Sequence, residues 1–173
     1  YVSPASAITL FDDAVSLAAD DWPAQGALRA QMIEPLAWCG RFDEAERRLD
    51  RADRGLRPEE DPMTTLIVRW ATGLLRLIQG RLEEALARLA EAQRLSSLMG
   101  KEVRTIEPQG VMLQTQVRMG KVAEASAALA ALDEDERDRA LIRIAAAEIH
   151  LAQDDPEAAL EVLAPVIEGS RRA

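Results

Sequence analysis

A glycine followed two residues later by an apolar side chain, then by alanine and leucine at helical spacing, recurs down this chain. Gly40-Arg41-Phe42-Asp43-Glu44-Ala45 opens one instance, and Gly80-Arg81-Leu82-Glu83-Glu84-Ala85 a second, 40 residues on. Gly120-Lys121-Val122-Ala123-Glu124-Ala125 is a third after a further 40, and Asp154-Asp155-Pro156-Glu157-Ala158-Ala159 a degraded fourth after 34. A period of this length, each carrying a turn and an amphipathic helix, specifies stacked helix–turn–helix units. No unit can bury its apolar face alone, so each buries it against its neighbours. The expected fold is all-α, an antiparallel helix-pair solenoid of about four repeats.

The chain has 173 residues, which suits one helical-repeat domain over 1–173. The expected repeats run roughly over 1–22 (partial), 23–62, 63–101, 102–135 and 136–173. Hydrophobic residues make up 48% of the chain but aromatic residues only 3%, a mix that favours helices packed through small side chains.

Residues 6–19 carry Ile8, Leu10, Phe11, Val15 and Leu17 or Ala18 with helical spacing. A helix is expected over 24–39, kinked or shortened by Pro35 and ended by Gly40. Its partner over 42–54 buries Phe42, Ala45, Leu49 and Ala52. The helix over 63–79 is apolar nearly all round and belongs between others, followed by an amphipathic helix over 82–99. The next pair covers 102–119, with a kink or late start near Glu107, and 122–132. The last covers 136–152, after the acidic run Asp133-Glu134-Asp135-Glu136, and 156–168, which Pro165 is expected to cut short.

Several functions are disfavoured. A net charge of −9 repels phosphate backbones, so no direct nucleic-acid contact is expected of this segment, nor an anionic membrane surface. The single cysteine, Cys39, leaves no internal disulfide and no cysteine metal cluster, and suits a reducing cytoplasm. It is expected to be a small buried apolar residue. The single histidine, His150, cannot build a triad or a histidine-rich metal site, and reads as structural or surface. Glutamates on the second helices recur with the repeat, as solvated faces do, and nothing pairs them with a nucleophile. No catalytic, cofactor or metal site is expected, and no enzyme. No apolar run approaches the roughly 18 residues of a membrane span, and no signal peptide is visible. The chain opens at Tyr1 in mid-pattern, which suggests a piece of a longer protein.

The repeating unit resembles the tetratricopeptide repeat. Gly40, Phe42, Ala45, Leu49 and Ala52 match that pattern, as do Gly80, Leu82, Ala85, Leu89 and Ala92. Gly120, Val122, Ala125 and Leu129 match with Leu132 in place of the last alanine; Asp154, Pro156, Ala159 and Leu163 match with Val166 there. In the first helices Arg29, Arg69, Gln109 and Arg143 stand where the family has tryptophan. The resemblance implies a right-handed superhelix. The longer spacing, with the stretches 129–137, 142–159 and 163–169, is similar to the repeat sensor region of MalT-like, LuxR-type large ATP-binding regulators of bacteria. In that family an ATPase domain precedes the repeats and a helix-turn-helix domain follows them. This chain has no Gly-x-x-x-x-Gly-Lys-Ser/Thr loop.

First helices line the concave groove of tetratricopeptide superhelices. The resemblance therefore places Glu34, Ala37 and Trp38 in the groove, with Trp70, Leu74 and Leu77, then Glu107, Gln114 and Arg118, then Leu141 and Glu148. Trp38 and Trp70 beside Gln114 and Arg118 would make an apolar wall with polar anchors; the alternative is that both tryptophans are core. The function implied is a regulatory module that binds a small-molecule inducer, protein or peptide, with self-association open to it. It would signal to ATPase and DNA-binding domains outside this chain. The alternative is a generic tetratricopeptide scaffold docking a peptide. A helical domain attached to an enzyme is a third class, disfavoured by the lack of convergent polar residues.

Overall fold

A computed structural model describes residues 3–18, 20–99 and 108–172. The chain divides into two compact units, Tyr1–Ile106 and Glu107–Ala173. The first holds α1 (Pro4–Leu17), α2 (Trp22–Gln31), α3 (Ile33–Trp38), α4 (Phe42–Arg54), α5 (Pro62–Ile78) and α6 (Leu82–Met99). The second holds α7 (Pro108–Arg118), α8 (Val122–Ala130), α9 (Glu134–Arg137), α10 (Ala140–Ala152) and α11 (Pro156–Arg172). The protein is all-α, with no strand among the described residues.

Four of the turns share one backbone solution. Gly40, Gly80 and Gly120 take φ of 69°, 76° and 77°, and Asp154 takes 63°. Each donates its amide three residues back, and the next residue donates five back, to Leu36, Arg76, Gln116 and His150 at 2.8–2.9 Å. This paired closure satisfies carbonyls that the helix end would leave open. It also starts the following helix two residues on, at Phe42, Leu82, Val122 and Pro156. Starts are written in side chains as well. Ser3, Asp21, Asp61 and Asp155 each accept an amide three residues on, at 3.0–3.1 Å. Pro4, Pro62 and Pro156 lead three of these helices, where no amide is needed.

In the first unit α5 is the central element, packed against α2, α3, α4 and α6. Leu66, Val68, Ala71 and Leu75 are fully buried, as an apolar helix between others must be. Closeness to α6 depends on Gly73, where a Cβ would lie 2.5 Å from Leu89 Cγ. α4 buries Ala45, Leu49 and Ala52 and leaves its charges outward. Those charges join helices: Arg76 of α5 pairs with Glu46 of α4 and, at 3.5 Å, with Glu84 of α6. Arg69 pairs with Asp53 of α4 and, at 3.0 Å, with Glu91 of α6. Arg48 of α4 pairs with Asp12 of α1 at 2.7 Å.

In the second unit α10 packs against α7, α8, α9 and α11. Ile142, Ala145 and Ile149 form its core with Leu113 and Ala125. A Cβ on Gly110 would stand 2.9 Å from Leu141 Cβ, so α7 and α10 also meet at a residue without a side chain.

Three expectations are corrected. The acidic run does begin a helix, with Asp133 and Glu136 closing a capping box, but that helix is the single turn α9. α10 starts afresh at Ala140, and Arg143 in its first turn folds back to donate to the Asp138 carbonyl at 3.2 Å and the Asp138 carboxylate at 2.7 Å. α11 continues through Pro165 to Arg172. Pro165 is exposed and leaves the Glu161 carbonyl without its helical donor, while Arg143 Nη1 donates to the adjacent Val162 carbonyl at 3.2 Å. In α1, Ile8 is buried, but Leu10 and Leu17 are exposed, since the unit covers a single narrow stripe of that helix.

A Cβ at Gly80 meets nothing within 4 Å, so the cost of Gly80→Ala is purely conformational. We expect a loss of about 1 kcal/mol in urea unfolding. Asp154→Gly is expected to gain about 0.5 kcal/mol at the equivalent position. An unchanged midpoint in both would show that the left-handed residue carries no cost here.

The hydrogen bond from Arg76 holds the Glu46 carboxyl below its ordinary range, against the opposing effect of burial. This stability is complete above pH 4.5 and is lost as pH falls through the lowered value. Glu46→Gln should therefore unfold at lower urea than the parent at pH 7, and the gap should close in acid. A constant gap across that range would refute the linkage.

Candidate functional site

The break between α2 and α3 creates the site. Met32 ends one helix and caps the next, with φ −71° and ψ −14°, and Pro35 stands at the third position of α3. Ile33, Leu36 and Ala37 of α3 turn into the core. Glu34 and Trp38, one helical turn apart, share the other side.

That side borders a pocket of about 360 Å³. Pro4, Ala7 and Phe11 of α1 form one wall, at helical spacing. Gln31 closes the end of α2, α3 supplies Glu34, Pro35 and Trp38, and α5 supplies Trp70. The walls are mostly apolar and the polar groups few, the balance of a small-molecule site. Trp38 is 69% exposed and Trp70 half-buried. The Trp70 indole N–H is shielded from solvent and meets no acceptor among the described residues. Burial pushes the Glu34 carboxyl above its ordinary range.

Three of the residues expected in a groove, Glu34, Trp38 and Trp70, are thus brought to one pocket within the first unit. Leu74, one turn beyond Trp70, is half-buried and outside the lining. Of its neighbours in the expectation, Ala37 and Leu77 are core residues at 6% and 2% exposure. Glu107 lies outside the described residues. Gln114, Arg118 and Glu148 belong to the second unit. There burial raises the Glu148 carboxyl and the positive charge of Arg118 on α7 opposes it, so those two side chains sit within electrostatic reach. The wall from α1 was not anticipated, although the 4, 7, 11 spacing was its visible signal.

A second concavity of about 390 Å³ lies by Trp22, Gly26, Gly55, Asp61 and Thr64. The Trp22 ring occupies the space where a Cβ on Gly55 would stand, and the buried Arg29 guanidinium lies 5.5 Å from the ring centroid. This pairing of a cation with an aromatic face fills the place as structure. Cys39 is exposed, not buried as expected, because it follows α3 on the side away from Ile33, Leu36 and Ala37. His150 is half-buried on α10. Among the described residues no group of three His, Cys, Asp or Glu is placed to hold a metal ion, and no helix is long and apolar enough to cross a membrane.

Comparison of the chain with family models, with curated proteins and with solved structures gives no match.

Glu34 ionised is disfavoured in the folded chain, so its cost to folding is fully present above the raised value and vanishes in acid. Glu34→Gln is expected to raise the melting temperature at pH 7 and to leave it unchanged near pH 3. A lower melting temperature at pH 7 would mean that the carboxylate has a stabilising partner.

Proposed function

We propose that this chain is the effector- or partner-binding segment of a LuxR-type, MalT-like transcription regulator, built on tetratricopeptide-like repeats and working in the cytoplasm. The observation that carries the binding role is the pocket that joins Glu34 and Trp38 of α3 with Trp70 of α5 in the first unit. The turn pattern Gly40, Gly80, Gly120 and Asp154, with the small residues behind each turn, supports the repeat reading. In this proposal the segment itself performs no catalysis and needs no cofactor. An occupant touching α1, α3 and α5 together favours the arrangement in which all three are docked. It thereby shifts the population of repeat packings that flanking ATPase and DNA-binding domains would sense.

A generic scaffold docking a peptide is the second reading. The 69% exposure of Trp38 favours it, because an aromatic projecting from a helix end is a common anchor for a protein partner.

The genomic reading frame on either side of the segment separates the two: a Walker-type ATPase before it and a helix-turn-helix after it are expected for the regulator, and neither for the scaffold. Binding is tested by a thermal-shift panel of metabolites and short peptides. A true occupant should raise the melting temperature of the parent and not of Trp38→Ala, whose exposed position leaves the fold itself nearly unaffected. Ligands that shift both proteins equally would remove the pocket from the proposal.

A further inference from the structure

The pocket of the first unit has a chemical bias beyond its apolar walls. Its aromatic side chains, Phe11, Trp38 and Trp70, arrive from α1, α3 and α5. Aromatic rings carry a negative electrostatic face and attract cations. The single charged side chain in the lining is the Glu34 carboxylate. The other half-buried glutamates of this unit are matched to guanidinium groups: Glu44 to Arg41 and Arg48, Glu46 to Arg76, Glu91 to Arg69 and Arg88. Glu34 has no such partner among the described residues, and burial is the one influence on its titration. A half-buried carboxylate beside aromatic side chains and lacking a counter-charge is the electrostatic complement of a cation whose own surface is apolar.

We propose that this pocket takes a small organic cation of the alkylammonium class, with Glu34 as its counter-ion and the Trp38 and Trp70 rings as its aromatic walls. The inference rests on the reading of the pocket as the binding site. An inorganic cation fits less well, because Gln31 and Glu34 supply the only side-chain oxygens of the lining and cannot replace a full hydration shell. An anionic ligand would meet Glu34 with like charge and find no arginine or lysine in the lining.

The test compares choline with 3,3-dimethylbutan-1-ol, its neutral counterpart of nearly the same shape, by NMR titration of the three tryptophan indole N–H resonances in the full chain. We expect saturable shifts at Trp38 and Trp70 but not at Trp22, with choline binding about tenfold more tightly than the neutral alcohol. Glu34→Gln should weaken choline about tenfold and leave the alcohol unchanged. Its melting curve at pH 7 verifies that this variant is folded. Equal affinity for the two probes, or an unchanged choline affinity in Glu34→Gln, overturns the cation inference while the pocket stands. Failure of both probes to shift any indole resonance also overturns it, and the metabolite and peptide panel then decides the pocket by itself.

Discussion

A left-handed residue placed two positions before the second helix of each pair is what the hairpins depend on. With φ near 70° at Gly40, Gly80 and Gly120, the chain reverses in three residues while the last carbonyls of the first helix receive amide donors. A longer connection would let the second helix drift along the first. Gly73 would then no longer face Leu89, and that crossing needs a residue without a Cβ at one place only. The tight turn therefore sets the register of the hairpin, and the register decides which small residue meets which large one. Asp154 shows that the conformation, and not the glycine, is the requirement: it holds φ 63° with the same pair of hydrogen bonds.

Around that frame the charges are arranged with economy. Arg69 and Arg76 on α5 each reach carboxylates on both α4 and α6, and Arg48 ties α4 to α1. These contacts are partly exposed, so each contributes modestly, and their main effect is on which helix faces pair. Glu34 lies outside the network, in an apolar setting, and its isolation makes the pocket chemically distinct from the rest of the unit.

Much of the helical layout was legible because the signals are local. α4 and α6 coincide with the expected ranges 42–54 and 82–99, since glycine at one end and a 3.6-residue apolar stripe define both. The division at Met32 was foreshadowed by Pro35, and the start of α11 by Asp155 and Pro156. Misplacements lie where side-chain contacts span an interruption between or within helices. Arg143 reaches back to Asp138 across the α9–α10 break and forward to Val162 beside the Pro165 interruption, and neither contact leaves a trace in local periodicity. The site was legible in part. Glu34 and Trp38 lie one turn apart in a short helix, but the wall contributed by Phe11 depends on how α1 lies against α3.

The sequence by itself determined the all-α class, the hairpin turns and the buried stripes, because backbone sign preference, capping and helical period act over five or six residues. Tertiary structure alone decided which aromatics share a pocket, that Cys39 faces outward, and that Glu34 is left without a guanidinium. Those outcomes depend on the angle between helices that are far apart in the chain. That angle is set by side-chain volume at crossings such as Gly26 of α2 with Thr64 of α5, a property no single helix contains.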